Sequence, residues 1–278
     1  MNDSFKNPEK IAILLSTFNG ERYLAEQLDS LFCQTCKSYH LYIRDDCSSD
    51  TTPDIILQYK KKHPDKITIL DNLQIRKRAF QAFMEMLSEI ESSYYMFCDQ
   101  DDVWFPDKIE KTLQTILQKE KEFSSQKPIL VFSDVTLVNK NLEVLQPSFF
   151  QELRYQTYKK NPHFLYIHNV VTGLTMMINH SAKRILFPVS PYASMHDEWI
   201  ALCLFCRKGI LQAIEDPTAY YRQHQTNVVG AAQDHSPRRF FRKKRLLEIL
   251  SKAKLIHKEF GVSYTRFLFY KFIYNFKR

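Results

Sequence analysis

The sequence predicts a doubly wound α/β fold, Rossmann-like, with a mostly parallel central sheet flanked by helices. Three observations predict it. Short apolar runs alternate with helical stretches from Lys10 to Phe132, the βαβ rhythm of an open parallel sheet. The first of them, Lys10–Ser16, is a continuous apolar run, as a strand covered on both faces is. One of them ends in Cys98-Asp99-Gln100-Asp101-Asp102, which puts three carboxylates just past the carboxyl end of a strand, where such sheets open their crevice.

Taken in order, Lys10–Ser16 reads as a buried strand and Thr17–Gly20 as a turn. Glu21–Thr35 is helical, with apolar residues at Tyr23, Leu24, Leu28, Leu31 and Phe32. Tyr39–Arg44 is a second strand, which ends in Asp45-Asp46-Cys47-Ser48-Ser49-Asp50. A helix over Thr51–His63, a strand over Ile67–Leu70 and a helix over Arg78–Glu91 follow. Tyr94–Cys98 is the strand that carries the acidic turn. Pro106, near a first helical position, opens a helix to Phe123. Ile129–Phe132 is another buried strand. Gln146–Asn169 is aromatic and polar without a period and predicts a long active-site loop. Val170–Ile178 predicts a strand, with Gly173 at a bulge or where backbone comes close to a ligand. His196-Asp197-Glu198-Trp199 starts a helix to Phe205. Ile210–Ile214 is a strand, and Tyr220–Val228 closes the body.

Bulk properties narrow the function. The chain has 278 residues, 44% of them hydrophobic, enough for a core that needs no staples. No run is long and apolar enough for a membrane span. The start, Met-Asn-Asp-Ser-Phe-Lys, shows no signal-peptide pattern. With six cysteines and no such leader, free thiols in a reducing cytoplasm are expected. Cys33/Cys36 and Cys203/Cys206 are C-x-x-C pairs on helical stretches without the turns of a zinc knuckle. No Gly-x-Gly-x-x-Gly occurs, and five glycines in all argue against a dinucleotide or Walker-type site.

Charge is uneven. Residues 238–278 hold thirteen Lys/Arg against two Glu, a balance of +11, so with +8 overall the rest stands at −3. The sequence therefore divides into a body, 1–232, and a basic, aromatic helical tail, 233–278. Basic segments with aromatics suit an anionic membrane surface, and a helical pair packed on the body is the other reading. Nothing in the body matches nucleic-acid recognition.

Crowded carboxylates repel unless a cation sits among them, and an all-oxygen turn suits Mg²⁺ or Mn²⁺ shared with a substrate diphosphate. Ile13-Leu-Leu-Ser-Thr-Phe-Asn-Gly-Glu, Arg44-Asp-Asp-Cys-Ser-Ser-Asp, Asp99-Gln-Asp-Asp-Val-Trp, Met195-His-Asp-Glu and Tyr221-Arg-Gln-His-Gln-Thr-Asn-Val-Val-Gly, in that order, resemble family 2 glycosyltransferases of GT-A fold. The likeness spans roughly residues 10–232 and is strongest to bacterial rhamnosyltransferase-like members. It implies inverting sugar transfer from a nucleotide-sugar, with dTDP-L-rhamnose as donor and a lipid-linked saccharide as acceptor, at the inner face of the cell membrane. Asp99 and Asp101 then supply the Asp-x-Asp motif, Asp101 as direct metal ligand and Asp99 beside it. Asp99 and Gln100 lie near ribose and sugar. Asp46 or Asp45 reads the imide N–H of a uracil or thymine, and Ser16 and Phe18 line the base pocket. Arg76 and Arg78 compete for the nucleotide, because the family's glycine near Gln74 and asparagine near Arg78 are absent here. His224 resembles a further metal ligand and Asp197 the catalytic base, with helix capping as its structural alternative. UDP-hexose donors, or a scaffold that binds glycan or membrane without catalysis, are the rival readings.

Overall fold

The computed structural model describes residues 11–70, 76–224 and 238–276, side chains of 238–246 excepted. The first strand is β1 (Ile11–Thr17). Its residues alternate between two cores: Ile11, Ile13 and Leu15 enter one, Ala12 and Leu14 the other. That explains the unbroken apolar run, since both faces of the strand are covered. Parallel to β1 lie β2 (Tyr39–Asp45) on one side and β4 (Tyr94–Cys98) on the other, and β3 (Ile67–Ile69) extends beyond β2. The crossovers are the predicted helices α1 (Leu24–Phe32), α2 (Thr52–Lys62) and α3 (Ala79–Glu89). α4 (Lys108–Phe123) follows the acidic turn and the short strand β5 (Val103–Trp104).

Past β4 the sheet changes character. Its order among the described residues is β3-β2-β1-β4-β8-β6-β9-β5, with β8 (Met177–Asn179) antiparallel to both β4 and β6 (Ile129–Val138). β9 (Ile210–Arg222) runs parallel to β6, and β5 pairs antiparallel with its far end. β7 (Val144–Gln146) pairs with β6 off this path. β6 and β9 run on well beyond the predicted Ile129–Phe132 and Ile210–Ile214. Register shifts near Asp134 let β9 carry Pro217 without breaking the ladder.

Two predicted elements differ. Gln146–Asn169 is not an open loop but a set of short turns: α5 (Phe149–Glu152), α6 (Tyr155–Lys160) and a 3-10 turn over Pro162–Tyr166. Each is too short to show a period, and buried aromatics hold them: Phe150 stacks on Tyr155 with ring centroids 4.3 Å apart. Within Val170–Ile178 only Met177 and Ile178 lie in a strand, while Gly173–Thr175 forms a 3-10 turn. Gly173 packs directly on the His196 ring, which a Cβ there would strike. The close approach at this glycine is thus to a side chain.

After α7 (His180–Arg184), helix α8 (His196–Cys206) is buried without a break from Trp199 to Leu204. A helix apolar all round needs cover on every side. The sheet supplies one side, and the hairpin of α9 (Arg238–Phe260) and α10 (Tyr264–Phe276) supplies another. Ala253, Leu255, Ile256, Val262 and Phe267 of the hairpin share the core of Trp199. The basic tail therefore packs on the body through an apolar inner face. The 232/233 boundary and the end of the motif at Gln225–Gly230 lie outside the described residues.

Candidate active site

The loops that follow β1, β2 and β4 meet at the carboxyl edge of the sheet. Phe18, just past β1, is held through its backbone: its N–H donates to Gln100 Oε1 (2.8 Å), and Gln100 Nε2 donates to its carbonyl (3.0 Å). The amide of Gln100 thus stands in for a neighbouring strand. Gly20 makes room for it, because a Cβ there would collide with that amide. The guanidinium of Arg76 lies 3.8 Å over the Phe18 ring.

The two aspartates after β2 part company. Asp45 is committed to its own loop, accepting from Thr17 Oγ1 (2.7 Å) and from Ser48 N–H (2.9 Å) and Oγ (2.6 Å). Asp46 is buried, accepts the Lys77 N–H and lines the cavity. The Lys77 and Arg44 side chains both pair with Glu85, at 2.5 and 2.7 Å, which fixes the segment that carries Arg76 and Arg78 into α3.

The acidic turn splits the same way. Asp102 is fully buried below the crevice, where it accepts the Arg222 N–H (3.0 Å) and burial pushes its carboxyl up. Burial, then the charges of Asp101 and Asp197, push Asp99 up to about 7. Asp101 Oδ2 meets His224 Nε2 at 2.7 Å. Arg222 makes that meeting possible, since its buried guanidinium donates to the Asp101 carbonyl (2.7 Å), the Lys140 carbonyl (2.9 Å) and the Glu26 carboxylate. It clamps the turn to the end of β9 two residues before His224.

Asp101 and His224 are the pair that could hold a divalent cation. One carboxylate and one imidazole already face each other, and no group of three His, Cys, Asp or Glu encloses an ion site among the described residues. That donor set fits an ion such as Mn²⁺ or Mg²⁺, which takes its remaining ligands from substrate phosphates and water.

Asp197 lies in the first turn of α8, whose N-cap is Met195 without a side-chain cap. It does not act as the N-cap. Its carboxylate accepts the Glu198 N–H (2.6 Å) and the Gly173 N–H, yet burial pushes it up to about 7. A carboxyl poised there takes a proton readily at neutral pH. Its neighbour His196 packs between Phe83 and Phe97 (ring centroids 4.4 and 5.2 Å), held neutral as burial lowers it to about 3.

Ser16, Phe18, Asp46, Arg76, Arg78, Asp99, Gln100, Asp101 and Asp197 line one cavity of about 1120 Å³. Both arginines reach it. Asp45 is turned away, and His224 joins through Asp101. Sequence reasoning missed Arg222 as the brace of the turn, although it stands inside a quoted motif. It also missed that Gln100 spends its amide on Phe18, and that Lys252 of α9 ion-pairs Glu198 (2.5 Å) at the cavity wall.

The chain is 25% identical over 227 residues to the dTDP-rhamnosyl transferase RfbG of Shigella flexneri, covering 78% of this chain and 74% of RfbG. Among solved structures, S. aureus TarS 1-349 in complex with UDP-GlcNAc superposes with a TM-score of 0.58 at 19% identity, over 92% of this chain and 74% of that one. The mannosyltransferase PcManGT of Pyrobaculum calidifontis, in complex with GDP-Man and Mn²⁺, gives 0.58 at 12% identity, over 93% and 66%. Likeness in shape at these identities carries the fold, which is GT-A. The profile of glycosyl transferase family 2 matches residues 12–185, most of the sheet and the whole of the acidic turn, and the chain belongs to that family.

Proposed function

We propose that this glycosyltransferase moves a sugar from a nucleoside-diphosphate donor, with inversion, onto a lipid-linked saccharide in bacterial cell-surface polysaccharide synthesis. The observation that carries the reading is the single cavity that joins Phe18, Asp46 and Arg76, through the Asp99–Asp101 turn, to Asp197. Phe18 offers a ring face for a base, and Asp46 a buried carboxylate for the imide N–H of a uracil or thymine. Arg76 and Arg78 bring positive charge to the phosphates. Asp197 takes the proton of the acceptor hydroxyl as that oxygen attacks the anomeric carbon from the face opposite the leaving diphosphate. A divalent ion on Asp101 and His224, when bound, neutralises charge that develops on the diphosphate. Gln100 holds the base loop against the acidic turn, so nucleotide and diphosphate are gripped in fixed register.

Likeness to RfbG favours dTDP-L-rhamnose as donor, and a UDP-hexose is the alternative. For the acceptor side, the outward face of α10 exposes Leu268, Phe269, Phe272 and Phe276 beside a strongly basic tail. Aromatics flanked by cations favour an anionic lipid surface. No helix among the described residues is long and apolar enough to cross a membrane, so peripheral attachment at the cytoplasmic face is the form proposed.

Thermal shift with a nucleotide-sugar panel tests the reading. Donor and Mn²⁺ together should raise Tm by more than the sum of their separate shifts. The excess should vanish in Asp101→Ala, along with nearly all turnover. Shifts that merely add in the parent would overturn the reading.

A further inference from the structure

The sequence reads Tyr23 as one of the apolar positions of a helix. In the folded chain it is the N-cap of α1, half-buried, with its ring outside both cores. The backbone that carries it is fixed from the side of the Phe18 loop. The Gly20 carbonyl accepts the N–H groups of Tyr23 and Leu24 (3.0 Å each), and the Gly20 N–H donates to Thr52 Oγ1 (2.7 Å). From this fixed start the side chain reaches the end of β9. Its ring lies 4.9 Å, centroid to centroid, from that of His224 at a tilt of 33°, and the Arg222 guanidinium lies 4.6 Å from its centre. One ring thus packs on His224 and also on the arginine that clamps the acidic turn to β9.

His224 has use for such a hold. Its Nε2 meets Asp101 Oδ2 at 2.7 Å, which fixes one atom of the imidazole but leaves its plane free to pivot about that atom. In this contact Nε2 carries the proton, whereas a metal ligand must offer the lone pair. The hydrogen bond is therefore given up when an ion binds and cannot by itself orient the ring for it. A tilted pair of rings at this spacing is a preferred packing, and a guanidinium over the same ring adds to the hold. Groups that orient a ligating imidazole are worth about ten- to a hundredfold in metal affinity.

We propose that Tyr23 is a positioning residue for the divalent ion: its ring holds the His224 imidazole toward Asp101 and so sets how tightly ion and nucleoside diphosphate bind together. The inference rests on the transferase reading above and adds to it the residue that prepares the metal pair. The turn that presents Phe18 to the base also presents Tyr23 to His224, so both parts of donor binding hang from one short segment.

Isothermal titration with dTDP and with UDP, each in chelator and at fixed Mn²⁺, tests this. The quantity read is the factor by which Mn²⁺ tightens the diphosphate. The parent should show such a gain with at least one of the two. Tyr23→Ala should cut the gain about tenfold and leave affinity in chelator unchanged. Tyr23→Phe, which keeps the ring, should keep the gain. In a His224→Ala background Tyr23→Ala should cost nothing more, because a group that acts through His224 has nothing left to position. A merely structural role predicts a loss in chelator too, and the same further loss with or without His224. Should Tyr23→Ala fail to stay folded, Tyr23→Leu takes its place, with apolar bulk but no ring, and the same outcomes apply. An undiminished gain in the variant would overturn the proposal, as would a full further loss in the His224→Ala background. If the parent gains and the variant gains equally, only the role of Tyr23 falls. If the parent gains with neither diphosphate, the metal step of the transferase reading falls and takes this inference with it.

Discussion

The two ends of the cavity are built by different physics. The end proposed to take the donor hangs from the carboxyl ends of β1, β2 and β4, strands in fixed parallel register. Its loops are laced by directional bonds, Gln100 to the Phe18 backbone and Ser48 to Asp45. The end proposed to take the acceptor has no strand. It is assembled from a 3-10 turn, the start of α8 and the hairpin, and ring packing holds it, as where His163 stacks on Tyr270 at 5.1 Å. The ion pair Lys252–Glu198 ties the hairpin to α8. Hydrogen bonds fix atoms to fractions of an ångström, whereas packed rings fix a shape. The sheet loops carry Asp46, Asp99 and Asp101, whereas Asp197 is carried by α8, whose place depends on how the helices pack. The two ends should be separable by substitution.

The largest effect is expected where the ends meet. Asp197→Asn keeps an oxygen to accept the Glu198 N–H but cannot take a proton at neutral pH. Transfer should fall by roughly 10²–10⁴-fold, the usual contribution of a general base, while donor with Mn²⁺ still binds. The parent's kcat/KM should drop as pH falls through about 7, because the carboxylate is the active form and burial raises its pKa to there. Asp197→Asn should lack that acid limb. The sign for stability is opposite to that of a salt-bridged aspartate. A carboxyl whose pKa rises on folding is protonated more readily folded than unfolded, so its ionised form costs stability above about 7. The Tm of Asp197→Asn at pH 8 should therefore equal or exceed the parent's. A lowered Tm with transfer within about tenfold of the parent would make Asp197 structural and move the search for the base to Glu198.

A smaller effect, confined to one end, is expected at Gln100. Gln100→Leu leaves the Phe18 N–H and carbonyl without their partner, a cost of about 1–3 kcal/mol for such a group. Donor affinity should fall by roughly ten- to a hundredfold, and the excess thermal shift of donor with Mn²⁺ should shrink. Binding to vesicles that contain anionic lipid, which reads the hairpin, should stay as before. Equal losses at both ends would mean that the cavity yields as one body and that the contrast drawn here is wrong.

That contrast also explains what was legible in the sequence. The strands and helices up to α4 could be read because each is long enough to show its period and is bounded by turn residues. That Asp46, Asp99, Asp101 and Asp197 share one cavity could be anticipated because each lies within a short contiguous motif. The acceptor end could not. His168, Lys252 and Phe267 come from separate stretches, and only the folded chain brings them to one cavity wall. The turns between Phe149 and Tyr166 are shorter than any window in which a period shows. The tail announced its charge clearly, but its inner face is spread over Ala253, Ile256, Val262 and Phe267, which the exposed aromatics of the same helices obscure. The unbroken apolar run of α8 was the available signal, since a helix buried all round requires a cover that the sheet alone does not give.

The smallest effect is expected on the outside of the acceptor end. Phe269 and Phe272 are 58% and 61% exposed, neighbours on the outward face of α10, while Phe267 points inward to the core. Phe269→Ser with Phe272→Ser removes apolar surface from that face without touching the inner one. Core packing and donor-induced thermal shifts should not change. Binding to vesicles that contain anionic lipid should weaken by about three- to tenfold, because two rings are lost while the basic charges remain to attract the surface. Flotation at low and high salt checks it. Salt should release the double variant at a lower concentration than the parent, since charge is then most of what holds it. Identical flotation curves would remove α10 from the lipid-facing surface. The acceptor's lipid would then have to leave the cavity by another side, while the transferase reading, which rests on the cavity itself, would stand unaltered.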